Sequence, residues 1–365
     1  MSRDVEAVRT LLPQDDDPAR DYADGTAGLS ERAERELALL RSSATGQRSV
    51  RARPGPGRRS VLGAAAVLAG ASVVVLNGGL PWPGDGGGAS AVAVTPPVLS
   101  LSPVPETPAK YLREMAERVE AQPEERSGPE ERSGESYQYS KTWGWWLNTA
   151  GDVPGGVANA AVPTVTESWV DKQGGGRQLS TYGEPIFPDP DQEKEAREAG
   201  LVSGKKIDDA EYGPGQFPGG SPWQEIEPFA QNPDRLLRQL KKVNWEGGQL
   251  IVGVSDMLTY ESRSGPVAPG LRAAALRVLA DAPGLQVSTT TTWKGSKVVA
   301  VTQEEVWKGS TTRTSVFFDP ETGYPMGSEE ALFGNPRKLN VRVPATLAVT
   351  ETLKRQTVST TDERP

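Results

Sequence analysis

The chain has no histidine and no cysteine. The commonest general base, the usual partner of a serine nucleophile, thiolate chemistry and thiolate metal sites are therefore all excluded by composition. What remains for chemistry is carboxylate first, with Ser-Lys hydrolysis left open by composition. Three adjacent pairs stand out, Asp208-Asp209, Glu304-Glu305 and Glu329-Glu330. Each lies in a stretch that reads as loop or strand, and neighbours on a strand point to opposite faces, so none of these pairs can close into a glycosidase dyad or a calcium site. No EF-hand loop, glycine-rich phosphate loop or G-x-S-x-G elbow is present. The expectation is a protein that is not an enzyme, with no cofactor and no metal.

A second constellation suits binding. Tyr137, Tyr139, Lys141, Trp143 and Trp145 alternate along one stretch, so a strand there presents an aromatic face. That face either packs against helices expected over 232–282 or lines a pocket for an acyl chain, and Tyr137, Tyr139, Trp143 and Trp145 are the candidate hydrophobic-ligand residues.

The element that positions such a domain is VLGAAAVLAGASVVVLNGGL, residues 61–80. About 20 apolar residues suffice to span roughly 30 Å of hydrocarbon as a helix. Arg48, Arg51, Arg53, Arg58 and Arg59 precede the run without an intervening acid, and only Asp85 follows closely. Arginines stay on the cytoplasmic side, with Arg53, Arg58 and Arg59 the orienting residues, so the C-terminal part is expected outside the cell membrane. A rival is a cleaved export signal, since Arg58-Arg59 resembles a twin-arginine start and Ala89-Ser90-Ala91 or Ala91-Val92-Ala93 could be cut, releasing a secreted domain.

The organisation follows. Residues 1–59 form a cytoplasmic tail, largely disordered, with short helices over 4–12 and 30–42, the second carrying Ala33, Leu37 and Leu40 as a narrow stripe that could fold on a regulatory protein. Residues 60–80 span the membrane. Residues 81–136 are a proline- and glycine-rich, acidic linker containing one helix over 110–121 and a doubled PEERSG. Residues 137–358 make the outer domain, and 359–365 a disordered end. The chain holds 31 prolines and 40 glycines, and its formal net charge is −8. The surplus of acid falls beyond Arg59, so the outer part repels phosphate backbones and nucleic acid is not an expected partner.

Within the outer domain, strands are expected over 164–171 and 177–182, joined by Gly174–Gly176, and then long loops over 183–230 around one polar helix near 190–199. Asn232-Pro233-Asp234 starts a helix, and two more follow by 282. Val-, Thr- and aromatic-rich strands fill 285–358, with Asp319-Pro320-Glu321-Thr322-Gly323 as a turn. The class is α+β: an antiparallel sheet, half-barrel-like, with helices on one face.

The arginine-flanked span, NPDRLLRQL at 232–240, PGLRAAALRVLADAPGLQV at 269–287 and FFDPETGYPMG at 317–327 together resemble a family of actinobacterial single-pass membrane proteins of unassigned function. Their genes are often found near those of extracytoplasmic-function sigma factors. Their outer domain is similar in layout to the half-barrel of lipoprotein carriers and of the periplasmic sensor that regulates an anti-sigma factor. The resemblance implies an extracytoplasmic binding or sensor protein linked to envelope signalling, with the membrane, a lipid or lipoprotein outside and a regulatory protein inside as partners. A membrane-tethered lipid or lipoprotein carrier is the alternative. The proline-rich linker with its doubled PEERSG is longer than the family pattern.

Overall fold

In the computed structural model the residues described are 95–124, 136–153, 156–187, 190–202, 206–219, 223, 228–243, 249–307, 309–336, 339 and 341–365. The tail with Arg53, Arg58 and Arg59, the apolar run 60–80 and the PEERSG doubling lie outside them. Among the described residues, no helix is long and apolar enough to cross a membrane.

The fold is α+β. In chain order its elements are β1 (Ser102–Pro103), α1 (Pro108–Glu120), β2 (Tyr137–Val153), β3 (Gly156–Ala161), β4 (Thr164–Asp171), β5 (Gly176–Tyr182), α2 (Pro190–Glu198) and β6 (Ile207–Tyr212). There follow α3 (Pro233–Lys242), α4 (Leu250–Glu261), α5 (Pro269–Ala280), β7 (Gln286–Thr291), β8 (Lys297–Trp307), β9 (Ser310–Phe318), β10 (Pro325–Gly334) and β11 (Ala345–Val358). The strands form one antiparallel sheet in the order β1-β7-β8-β9-β10-β11-β2-β4-β5-β6, with β3 on the side of β2. The C-terminal meander β7–β11 is thus stitched to the N-terminal strands by the single long pair β11–β2.

Local chemistry sets the corners. Asp171 Oδ1 accepts from the backbone N–H of Gln173 and Gly175, both at 2.8 Å, and Gly174 takes φ 71° to close the β4–β5 turn. Gly176 follows at φ 140°, where a Cβ would lie 1.8 Å from the Trp169 carbonyl oxygen, so no other residue fits. Between β9 and β10, Asp319 Oδ1 accepts from Glu321 and Thr322 N–H at 2.9 and 2.7 Å, and Gly323 has φ 71°. Asn232 caps α3 by accepting from Arg235 N–H at 3.0 Å, with Pro233 at the first position and Asp234 in the first turn.

The main core lies between one face of β7–β9 and the helices. Val287, Val299, Val301, Val316 and Phe318 meet Leu112, Met115 and Val119 of α1, Leu236 and Leu240 of α3, Ile251, Val254 and Met257 of α4, and Leu271, Leu276 and Leu279 of α5. Each such aliphatic side chain contributes about 1.5–3 kcal/mol by leaving water. α5 is buried on nearly every side, and its run Ala273-Ala274-Ala275 lets the neighbouring helices approach.

Two boundaries differ from expectation. Leu99 and Leu101, placed in the linker, pack with Val298, Ala300 and Phe317, while β1 pairs with β7 and α1 is part of the main core. Proline-rich composition does favour extended chain, but an extended chain with leucines two apart can lie along a sheet and bury them. The folded unit therefore includes residues ahead of Tyr137. Residues 359–365, expected to be disordered, carry a turn closed by Ser359 N–H and Oγ–H donating to Glu363 Oε2 at 2.9 Å, and the indole N–H of Trp169 donates to Glu363 O at 2.9 Å. Strand β6 arises in the stretch read as long loops.

Candidate functional site

β2 places Tyr137, Tyr139, Lys141, Trp143 and Trp145 on one face, as a period of two requires. The register then decides what that face meets. Trp143 pairs with Glu351, Glu351 with Gly327, Gly327 with Phe317 and Phe317 with Ala300. Phe317 and Ala300 alternate with Val316, Phe318, Val299 and Val301, which hold the helices. The aromatic row is therefore turned away from α3–α5, not packed on them.

The row also divides. Trp145 is 1% exposed among Leu147, Ala161, Leu347 and Val349, with Trp143 half-buried at the margin. Trp143 lies 6.5 Å from Trp293, centroid to centroid, and 4.3 Å beneath Lys294 Nζ. Tyr139 is 1% exposed beside Trp169 and Val358, with Tyr137 half-buried. The Tyr139 hydroxyl donates to Glu167 Oε1 at 2.6 Å. Burial first, and then this carboxylate, push the phenol above its ordinary pKa.

The carboxylates form no catalytic pair on their own strands. Glu329 and Glu330 point to opposite faces. Glu329 is fully buried and accepts from Arg313 Nη2 at 2.8 Å and Leu99 N–H at 2.9 Å; burial raises its pKa while these two donors oppose the rise. Glu351, also fully buried, accepts from Thr292 Oγ1 at 2.5 Å, Ser296 Oγ at 3.0 Å and Lys294 N–H at 3.1 Å. Asp209 is turned to Arg177, which holds its pKa below the usual range. Acids do gather across strands. Glu330 on β10 and Glu305 on β8 share a face either side of β9, and burial followed by Glu305 lifts Glu330 to about 7. Among the described residues, no three such ligands cluster to hold a metal ion.

An open cleft of about 460 Å³ lies elsewhere, between the second half of β11, the turn into β10 and the loop after α4. The pairing of β11 with β2 shifts between Thr352 and Lys354, leaving Leu353 as a bulge with 40% exposure at the cleft. Gln138 Nε2 donates to Thr357 Oγ1 at 2.9 Å along one side. Tyr324 forms part of the wall, its ring between the guanidinium carbons of Arg272 at 4.3 Å and Arg355 at 5.2 Å, and its hydroxyl accepts from Val267 N–H at 2.8 Å. Arg272 is itself fully buried and donates to Thr322 O. Lys354 and Arg355 line the cleft, and among the described residues no carboxylate does, although the chain carries 48 acids. The side chains that line the cleft offer cations and hydroxyls. It has an electrostatic preference for an anionic group beside the apolar atoms of Leu353, Met326 and Pro266.

None of Tyr137, Tyr139, Trp143 and Trp145 lines this cleft; their neighbour Gln138, which points to the other face, does. The cue in the sequence was Leu353-Lys354-Arg355-Gln356, a basic patch ending a long strand in an acidic chain. Compared with protein families, curated proteins and solved structures, the chain has no match, so the site rests on its own geometry.

Proposed function

We propose that the chain is a single-pass membrane protein whose extracytoplasmic domain binds an anionic ligand of the cell envelope and reports its occupancy inward, a sensor rather than an enzyme. The observation that carries the binding part is the cleft, cationic and, among the described residues, free of carboxylate, in a chain of net charge −8. The anchoring part rests on residues 61–80 and the arginines before them. The antiparallel sheet with helices on one face is the layout of a half-barrel of the carrier and sensor type, and layout alone does not supply a function. A carrier would need a deep apolar tunnel to shield acyl chains, whereas this cleft is open and has Lys354 and Arg355 in its lining, which favours the sensor.

The test has two arms. In calorimetry on the full chain in detergent, dihexanoyl phosphatidic acid should bind at least tenfold more tightly than dihexanoyl phosphatidylcholine, and Lys354→Glu with Arg355→Glu should remove the difference. Equal affinities, or a difference that survives both substitutions, would overturn the cleft assignment. In intact protoplasts, added protease should remove residues beyond about 85 and spare the N-terminal tail. A soluble form beginning near Ala91 or Thr95 would instead support the cleaved signal.

A further inference from the structure

The last residues of the chain lie against the aromatic face through four polar contacts and one cation–ring contact. Trp169 Nε1–H donates to Glu363 O at 2.9 Å. Arg177 Nη1 donates to Asp362 Oδ1 at 2.7 Å and to Thr361 O at 3.3 Å. Arg364 places its guanidinium 5.4 Å from the Trp169 ring centroid and its Nε 3.5 Å from Glu167 Oε2. The side chains that make these contacts are themselves wet: Asp362 is 86% exposed and Arg364 45%.

The body side of this contact is organised without help from the tail. Trp169 and Arg177 are direct cross-strand partners on β4 and β5, and Glu167 lies two residues from Trp169 on the same face. Asp209 takes Nε and Nη2 of Arg177 at 2.9 and 2.7 Å, which aims Nη1 outward. Tyr139 holds Glu167 by its hydroxyl and Trp169 by a tilted ring contact at 5.3 Å. An indole N–H thus stands between a fixed cation and a fixed anion. The tail matches that order: an acid, one intervening residue whose carbonyl takes the indole N–H, then a base. A turn through Thr361 and Asp362, closed by Ser359 and Glu363, presents the three residues in that order.

We propose that Glu167, Trp169 and Arg177 form a recognition site for a peptide of pattern acid-x-base leaving a tight turn, occupied in cis by Asp362-Glu363-Arg364. The tail contributes no buried apolar anchor of its own. It holds the site by local concentration, of millimolar order for a short tether, and a peptide from a partner displaces it when present in trans at higher effective strength.

The experiment uses the full chain with Asp362→Lys and Arg364→Glu, which sets like charges against Arg177 and Glu167 and frees the tail. A fluorescein-labelled peptide of residues 359–365 should then bind saturably by anisotropy, at least tenfold tighter than to the unaltered chain. Adding Arg177→Asp should abolish that binding and create binding for the same peptide carrying Lys at the position of Asp362. A chain ending at Val358, with unchanged circular dichroism, should behave as the freed form. Failure of both the freed and the shortened chain to bind the peptide, or equal binding by all chains, would overturn the proposal. So would indifference to the charge exchange at Arg177.

Discussion

Glu330 offers the cleanest perturbation of this fold, because a chain without histidine has few groups that titrate near neutrality. Its carboxyl lies at about 7 in the folded state against an ordinary value of 4.5, raised first by burial and second by Glu305. A raised folded pKa in an acid means that the folded state holds the proton more tightly than the unfolded chain does. The cost is absent below about 4.5, grows as pH rises to about 7, and stays constant above it. The gap corresponds to roughly 3 kcal/mol at about 1.4 kcal/mol per pH unit, and partial exposure of the side chain reduces it to about 1–2 kcal/mol. Glu330→Gln keeps the shape and removes the charge. Urea denaturation followed by tryptophan fluorescence should give equal stability for both chains at pH 4.5, and a variant more stable by about 1–2 kcal/mol at pH 8. Asp209 and Glu120, whose pKa values are lowered by Arg177 and Arg277, are ionised throughout that window and cancel in the difference. Glu305→Gln should recover a smaller part of the same gain. Stability curves that run parallel from pH 4.5 to 8 would refute the assignment of a buried, strained carboxyl to Glu330.

Three further perturbations probe the rest of the molecule. Trp145→Ala should cost about 3–5 kcal/mol in denaturant titration, whereas Trp145→Phe should cost much less, since the indole N–H of Trp145 has no hydrogen-bond partner to lose; equal losses would show that the indole nitrogen is engaged after all. Glu329→Ala leaves the Arg313 guanidinium, 12% exposed, without its anion, so about 3–5 kcal/mol should be lost and hydrogen exchange at the Leu99 amide should accelerate; an unchanged Leu99 rate would separate the strap from the ion pair. Gly176→Ala sets a Cβ against the Trp169 carbonyl at a φ of 140° and should destabilise by about 2 kcal/mol or more in thermal unfolding, with a loss under about 0.5 kcal/mol counting against the turn geometry.

Where physics is local, the fold was readable. Asn232-Pro233-Asp234, Asp319 to Gly323 and the glycines between β4 and β5 each satisfy nearby backbone N–H groups or supply a positive φ, and each produces the expected element. Elements that exist only by pairing were missed. Ile207–Tyr212 has three acids in six residues and its alternation is exposed or half-exposed, so nothing in it announces a strand; it becomes one because β5 offers an edge. Ser102–Pro103 joins β7 in the same way, and Leu99 is fixed by a carboxylate 230 residues distant. The aromatic row of β2 shows both halves at once: its period was legible, while the side to which it turns depended on the register of β11, β10, β9 and β8.

The cleft failed to declare itself for a related reason, and that reason is specific to β11. A strict period of two sends Lys354 and Gln356 to one face and Arg355 and Thr357 to the other, so pattern alone gives no ground for collecting them into one site. The extra residue at Leu353 shifts the pairing once, ahead of all four; they keep their alternation, with Arg355 and Thr357 on the Gln138 side, and the cavity is bordered by both rows. The opposite wall is supplied by Gln138, 219 residues earlier, which is bonded to Thr357. Beside the Leu353 bulge, the Tyr324 ring carries the guanidinium groups of Arg272 and Arg355 against it, and the charged residues that line the cavity are Lys354 and Arg355. Deleting Leu353 should leave Lys354 to Thr357 paired as they are and remove only an apolar residue from the rim of the cleft, so discrimination between anionic and zwitterionic lipid should persist while affinity for both falls. If that shortened chain folds and no longer discriminates, the bulge itself and not Lys354 and Arg355 sets recognition.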